Sequence, residues 1–180
     1  IAERAGVSVG SLYRSFSGKE EMANAVYRRA KTRMLASVTG AVADAGPEAG
    51  SRGAVLAAWA GLAAYAAADP DGFAFLEHQQ HAAYLDDESL AVARRIDDLA
   101  AGIVRDGQKR GDVRDGAPDQ LVALVFGAFV GLSKAARATG RPLRAADIDS
   151  SGQAVWAMLA RADHPSTAPK VSVTRKKRTS

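Results

Sequence analysis

The chain has 180 residues, of which 47% are hydrophobic, and a formal net charge of +4. This length allows one substantial core or two small subdomains. No cysteine is present, which excludes disulfides, thiol catalysis and cysteine metal sites. Alanine dominates the apolar residues, and the alternating β-branched pattern of strands is missing, so we predict an all-α fold. No signal peptide and no run of about 20 apolar residues is visible, which favours a cytoplasmic location without a membrane span.

The first stretch predicts two short helices joined by a tight turn. Gly6 allows the left-handed backbone that ends a helix sharply, and Ser8 is a favoured N-cap. In the second helix, over residues 8–16, Leu12 and Phe16 lie four apart and share an inner face. The residues that point outward are Ser11, Arg14 and Ser15. This geometry is typical of a helix-turn-helix, whose second helix enters the major groove of DNA.

The same stretch resembles the DNA-binding signature of the tetracycline-repressor (TetR) family. The resemblance rests on Ala5-Gly6-Val7-Ser8-Val9-Gly10-Ser11-Leu12-Tyr13, followed by Phe16 and Lys19-Glu20. It implies an all-helical homodimer that binds palindromic operator DNA and releases it when a small molecule occupies the C-terminal domain. In that family a further helix, and the first turn of the next, precede the position of Ile1. We therefore expect this chain to be truncated at its N-terminus.

The resemblance also implies which residues contact DNA. The groove-facing positions are Val9, Gly10, Ser11, Arg14 and Ser15. Arg14 can form two hydrogen bonds with a guanine edge, and a phosphate contact is an equal alternative. Val9 could pack on a thymine methyl or lie half-buried in the head itself. Tyr13 and Lys19 are predicted to contact the DNA backbone, with Lys19 at a helix start whose amides attract phosphate.

The charge is unevenly distributed along the chain. Residues 1–34 carry seven Lys or Arg and three Asp or Glu, residues 35–162 carry twelve and sixteen, and residues 163–180 carry five and one. A basic head is the electrostatic signature of a DNA-binding protein. We predict three parts: a head with its connecting helix (1–40), an effector-binding and dimerisation domain (41–162) and a disordered basic tail (163–180). The tail is either simply solvated or adds non-specific attraction to phosphate.

The body is predicted to consist of successive helices. A capping box of Ser17 and Glu20 begins a long helix that ends near residues 38–40. Further helices are predicted over residues 51–68, over 73–81, after the acidic turn at 84–89, from Pro118 onward and over 146–162.

Residues 121–132 are apolar on nearly every side, yet form a run that is too short to span a bilayer. They form either a central core helix or a subunit interface. The resemblance favours pairing of the last two helices with those of a second subunit in a four-helix bundle. The predicted interface residues are Leu124, Gly127, Ala128, Gly131, Val155 and Leu159.

Large and polar side chains of the body suggest an effector pocket, although the simpler interpretation is that most of the aromatics are ordinary core. The predicted pocket residues are Trp59, Tyr65, Phe73, His78, Gln79, Phe126 and Trp156. A metal site at His78 and His81, with Asp86 or Asp87 nearby, would have an incomplete ligand set, so we predict neither metal nor cofactor.

Catalytic motifs are missing from the sequence, including a nucleophile elbow and a phosphate-binding loop, so we predict no enzyme. The favoured function is a ligand-responsive transcriptional regulator, a repressor that binds operator DNA. The alternative is a truncated helical dimer that binds a small hydrophobic ligand without binding DNA.

Overall fold

The structure is a computed structural model that describes residues 16–78 and 83–162. Helices occupy most of this part of the chain, and the predicted all-α class is confirmed. Their bounds are α1 Lys19–Ala45, α2 Gly50–Ala68, α3 Pro70–His78, α4 Asp87–Arg110, α5 Pro118–Ala138 and α6 Ala145–Leu159. A single 3-10 turn, Pro47–Ala49, joins α1 to α2. Within the described ranges, β-type pairing is limited to one antiparallel bridge between Val113 and Ala160.

The start of α1 differs from the predicted capping box. Gly18, in an extended conformation, is the N-cap. The backbone N–H and the hydroxyl of Ser17 both donate to Glu21 Oε2, at 2.5 and 2.6 Å. Glu20 was therefore the wrong partner: the carboxylate one position later reaches back to Ser17. These two hydrogen bonds also lower the pKa of the Glu21 carboxyl.

Helix α1 is longer than predicted, and continues past residue 40 to Ala45. Gly46, with φ of 70°, ends it, because glycine accepts positive φ without steric cost. At a rise of ~1.5 Å per residue the helix is about 40 Å long. It runs from the residues just after the predicted DNA-binding motif to the far end of the body.

Helix α2 lies at the centre of the body and packs against α1, α3, α4 and α6. Its contact with α1 is close because Gly61 has no side chain. A Cβ atom placed at Gly61 would lie 2.8 Å from the carbonyl oxygen of Ser37 and 2.9 Å from the Cα of Val38. The Ser37 hydroxyl also donates to the Gly61 carbonyl at 2.8 Å. Backbone contact therefore fixes the separation of α1 and α2.

Aromatic rings fill the middle of the core. Phe129 of α5 is completely buried and meets two rings edge to face. Its centroid lies 5.1 Å from that of Trp59 and 5.4 Å from that of Phe73. Such T-shaped pairs add to the stabilisation from burial of the rings. They connect α2, α3 and α5 in a single hydrophobic core.

Two other helix ends differ from the predicted bounds for local reasons. Helix α3 begins at Pro70 rather than at Phe73, because proline fits the first turn of a helix. Helix α6 ends at Leu159 rather than near residue 162. After it the chain pairs with the α4–α5 loop: Arg161 N donates to Asp112 O and Arg114 N donates to Leu159 O, both at 2.8 Å.

The apolar run of residues 121–132 is only part of helix α5, which extends it at both ends. The whole helix has 21 residues and, among the described helices, it is long and apolar enough to cross a membrane by length and composition alone. Core helices of soluble proteins can have the same length and composition. One face of α5 packs on the body through Leu121, Phe129 and Ser133, which are buried.

Candidate functional site

A cavity of about 640 Å³ lies between α1, α2, α4 and α5. This volume is in the range of sites that hold small organic molecules. The wall is mainly aliphatic and aromatic. Its apolar side chains include Met34, Val38, Val55, Trp59, Leu62, Ile96, Leu99, Ile103, Val104, Val122, Val125, Phe126 and Leu159.

Helical periodicity explains how two of these helices reach the cavity. Met34 and Val38 lie one turn apart on α1 and face the same side. On α4 the spacing of Ile96, Leu99 and Ile103 repeats this pattern over two turns. A molecule in the cavity would therefore touch α1, the helix that begins just after the predicted DNA-binding motif.

Five charged residues also contribute to the wall: Lys31, Asp97, Asp98, Arg105 and Asp119. The last four are exposed, whereas Lys31 is only partly exposed. Burial lowers the pKa of the Lys31 ammonium, and the charge of Asp97 opposes this shift. The ammonium nitrogen stands 5.8 Å from the centroid of the Tyr27 ring. The cavity thus combines a large apolar wall with one poorly solvated positive charge.

Of the predicted pocket residues, the structure places Trp59 and Phe126 on the cavity wall. Tyr65 and Phe73 are instead buried in the core, and Trp156 packs half-buried against it. None of these three lines the cavity. Desolvation raises the pKa of the Tyr65 hydroxyl to about 12. The side chain of His78 and the whole of Gln79 and His81 lie outside the described part.

Sequence reasoning missed Lys31 and the wall that α1 and α4 provide. A signal was present, because the apolar stripe through Ile96, Leu99 and Ile103 is evident in the sequence. A stripe that lines a cavity and a stripe that packs on a neighbour have the same period, so periodicity could not separate them.

All but one of the predicted DNA-contacting residues lie outside the described ranges. These are Val9, Gly10, Ser11, Tyr13, Arg14 and Ser15. Lys19 is described: it is the first residue of α1 and its side chain is exposed.

Behind this point α1 is held to the segment that precedes α4. Buried Asn24 donates through Nδ2 to Tyr84 O at 2.8 Å and accepts through Oδ1 from Asp86 N at 3.0 Å. One turn further on, Arg28 pairs with Asp86 at 2.8 Å. The start of α1 and the start of α4 are therefore joined by a polar network.

The predicted interface residues divide into two groups. Leu124, Gly127, Ala128 and Gly131 are exposed and form one stripe along α5, on the side away from Phe129. Leu124 is 57% exposed, the higher of the two exposed large hydrophobic residues in the described chain. Val155 and Leu159 are instead buried in the core of their own subunit, because they lie on the face of α6 that packs inward.

No metal-binding cluster is found in the part of the chain that the structure describes: nowhere in residues 16–78 and 83–162 do three or more His, Cys, Asp or Glu converge on one point. Asp86, which was considered above as a possible metal ligand, accepts hydrogen bonds from Ser89 N at 2.8 Å and Arg28 Nη1 at 2.8 Å. The two histidines considered as ligands, His78 and His81, have side chains outside the described part of the chain.

Comparison with known families assigns almost the whole chain. Residues 34–160 match the family model described as the tetracyclin repressor-like C-terminal domain. Residues 1–26 match the model for bacterial regulatory proteins of the tetR family. Among curated proteins, none shows significant similarity to this sequence.

Solved structures share the fold at low sequence identity. A protein of unknown function from Rhodococcus sp. RHA1 aligns with a TM-score of 0.72 at 22% identity, over 89% of this chain and 82% of that one. A candidate tetR family transcription regulator from Shewanella sp. PV-4 aligns at 0.70 and 18% identity, over 89% and 85%. The TetR family transcriptional regulator PfmR from Thermus thermophilus aligns at 0.64 and 19% identity, over 87% and 83%. With a matching family model over most of its length, the chain belongs to the TetR family of bacterial regulatory proteins.

Proposed function

We propose that this protein is a ligand-responsive transcriptional repressor that acts in the cytoplasm. In this proposal it has no enzymatic activity. It binds palindromic operator DNA as a homodimer, and a small molecule in the cavity between α1, α2, α4 and α5 releases it.

The observation that carries the proposal is the position of α1. The first part of this helix, up to residue 26, belongs to the stretch that matches the model for bacterial regulatory proteins of the tetR family. Its later residues Lys31, Met34 and Val38 line the cavity. A ligand that fits the cavity better in one position of α1 would shift the population toward that position. The two heads of a dimer must lie about 34–36 Å apart, or a multiple of this distance, to enter major grooves on one face of DNA. A change in the angle of α1 alters that spacing.

The stripe of Leu124, Gly127, Ala128 and Gly131 supports the dimer in this proposal. Contiguous exposed apolar surface is typical of interaction sites. A Cβ atom added at Gly127 or Gly131 would meet nothing within 4 Å in the single subunit, so both positions lie open. A second α5 can therefore approach closely. We assign Val155 and Leu159 to the core that supports this face and not to the contact itself.

The dimer can be tested with two matched substitutions. Ala128→Arg places a charge in the middle of the proposed interface, and Ala64→Arg places the same charge at an exposed position of α2. In light scattering coupled to gel filtration, we expect a monomer for Ala128→Arg and a dimer for Ala64→Arg and the parent. A dimer that persists in Ala128→Arg at micromolar concentration would contradict this interface.

The operator can be found by selection from a random duplex pool. The proposal predicts that the enriched sequences contain two inverted half-sites at a fixed spacing. If Arg14 contacts a base, Arg14→Ala should lose the preference at one position of each half-site, at a cost of ~1–3 kcal/mol. Selection that enriches no inverted repeat would refute operator binding by a dimer. An Arg14→Ala profile identical to that of the parent would refute base contact by this residue.

A further inference from the structure

The cavity has a chemical asymmetry that restricts what it can hold. Four of its five charged wall residues, Asp97, Asp98, Arg105 and Asp119, are exposed, so water solvates their charges. The fifth, Lys31, lies between the core residues Tyr27 and Met34 on α1, both of which are buried. The permanent charge that meets the apolar interior is therefore positive.

Few groups of the same subunit stabilise the positive charge of the partly buried Lys31 ammonium. Among the ion pairs formed by residues 16–78 and 83–162, none involves its ammonium. The aromatic ring of Tyr27 offers a weak attraction at 5.8 Å. Asp97 attracts the charge from an exposed position, while desolvation has the larger and opposite effect on the pKa. An ammonium that is partly removed from water without a paired anion is unfavourable.

We propose that the cavity binds an apolar molecule that carries one carboxylate or comparable acidic group, with the acid paired to Lys31 and the apolar part against the wall between α2, α4 and α5. The inference rests on the proposed function, since it names the chemical class of the effector. A cationic ligand would meet Lys31 at close range, and a neutral ligand would leave its charge unpaired. An acid satisfies the ammonium while its hydrocarbon part covers residues such as Trp59, Ile103 and Phe126.

The test uses probes that differ in one group. Straight-chain carboxylates from octanoate to dodecanoate are compared with the alcohol and the amine of each length, by isothermal titration calorimetry in the absence of DNA. For the chain length that fits best, we expect the carboxylate to bind at least about tenfold more tightly than the alcohol, and the amine most weakly. Val122→Trp, which fills the cavity from α5, should abolish binding of all probes and so locate the site.

Substitutions at Lys31 separate charge from packing. Lys31→Met keeps the apolar stem and removes the charge, so the carboxylate should fall to the affinity of the alcohol. Lys31→Arg should retain the preference for the acid. Arg29→Met, at an exposed position of α1 that does not line the cavity, is the matched control and should leave the preference unchanged. Circular dichroism spectra of all variants establish that each is folded.

The inference is overturned if no probe binds, if acid, alcohol and amine bind equally, if the amine binds best, or if the preference for the acid survives in Lys31→Met. None of these results depends on DNA. A chain that prefers the acid and yet binds no operator would refute the proposed function and leave this inference standing. A chain that binds its operator and shows no preference for the acid would refute this inference and leave the proposed function standing.

Discussion

Gly61 sets the distance between α1 and α2, so an added methyl group at this position should destabilise the protein. A Cβ atom there would lie 2.8 Å from the carbonyl oxygen of Ser37, 2.9 Å from the Cα of Val38 and 3.0 Å from the Cβ of Ala41. Two of these atoms belong to the backbone of α1 and cannot move alone. Overpacking of this kind costs ~1–3 kcal/mol, whereas alanine gains ~1 kcal/mol over glycine in a helix. We expect Gly61→Ala to lose up to ~2 kcal/mol in the free energy of unfolding.

Gly40 provides the matched control. It also lies inside a helix, but a Cβ atom at this position would meet nothing within 4 Å. Gly40→Ala should therefore show only the gain in helix propensity, ~0.5–1 kcal/mol. Urea unfolding of both variants, followed by far-ultraviolet circular dichroism at one fixed protein concentration, gives the two values on the same scale. If Gly61→Ala is stabilised as much as Gly40→Ala, the two helix backbones do not limit each other and the packing described for α1 and α2 is wrong.

Three further predictions concern the hydrophobic core, the loss of stability at acidic pH and the contact of Lys19 with DNA. Phe129→Ala removes a completely buried ring with two edge-to-face partners, and we expect urea unfolding to show a loss of ~3–5 kcal/mol; a loss below ~1 kcal/mol would contradict the packing described. Hydrogen bonds from the Arg144 side chain and backbone lower the pKa of Asp147 from 3.8 to about 2. This carboxylate should therefore stabilise the fold above pH 3.8 and lose its effect as the pH falls toward 2, and thermal melts of Asp147→Asn should lack that part of the acid dependence. Lys19→Ala should weaken binding to all DNA sequences alike and reduce the slope of log K against log salt by ~1, while Lys109→Ala, exposed at the far end of α4, should leave that slope unchanged.

Local chemistry made most of the helices predictable. Helix α2 was predicted over residues 51–68 and is observed as Gly50–Ala68, because a long run of alanine and apolar residues ends at Asp69-Pro70. Asp86 was predicted in an acidic turn, and its side chain accepts from Ser89 N as the N-cap of α4. Capping residues and proline act within a few positions of themselves, which is why the sequence alone reveals them.

Features that depend on contact between distant residues were not predictable. The cavity requires Lys31 and Met34 of α1 to face Ile96 and Ile103 of α4, and periodicity gives the face of each helix without giving its neighbour. The same limit explains the error at Val155 and Leu159, which were expected at an interface and are buried in the core. An inward face and an interface face are both apolar, so only the packing of α6 distinguishes them.

Sequence-selective binding of this chain to DNA can be measured by fluorescence anisotropy. A labelled duplex from the region upstream of the gene is titrated over a range of salt concentrations, beside a scrambled duplex of equal length and composition. The measurement is made with the 180-residue chain. We predict tight, salt-dependent binding that prefers the upstream duplex. Equal affinity for both duplexes would contradict sequence-selective binding and favour a helical dimer that only binds a hydrophobic ligand.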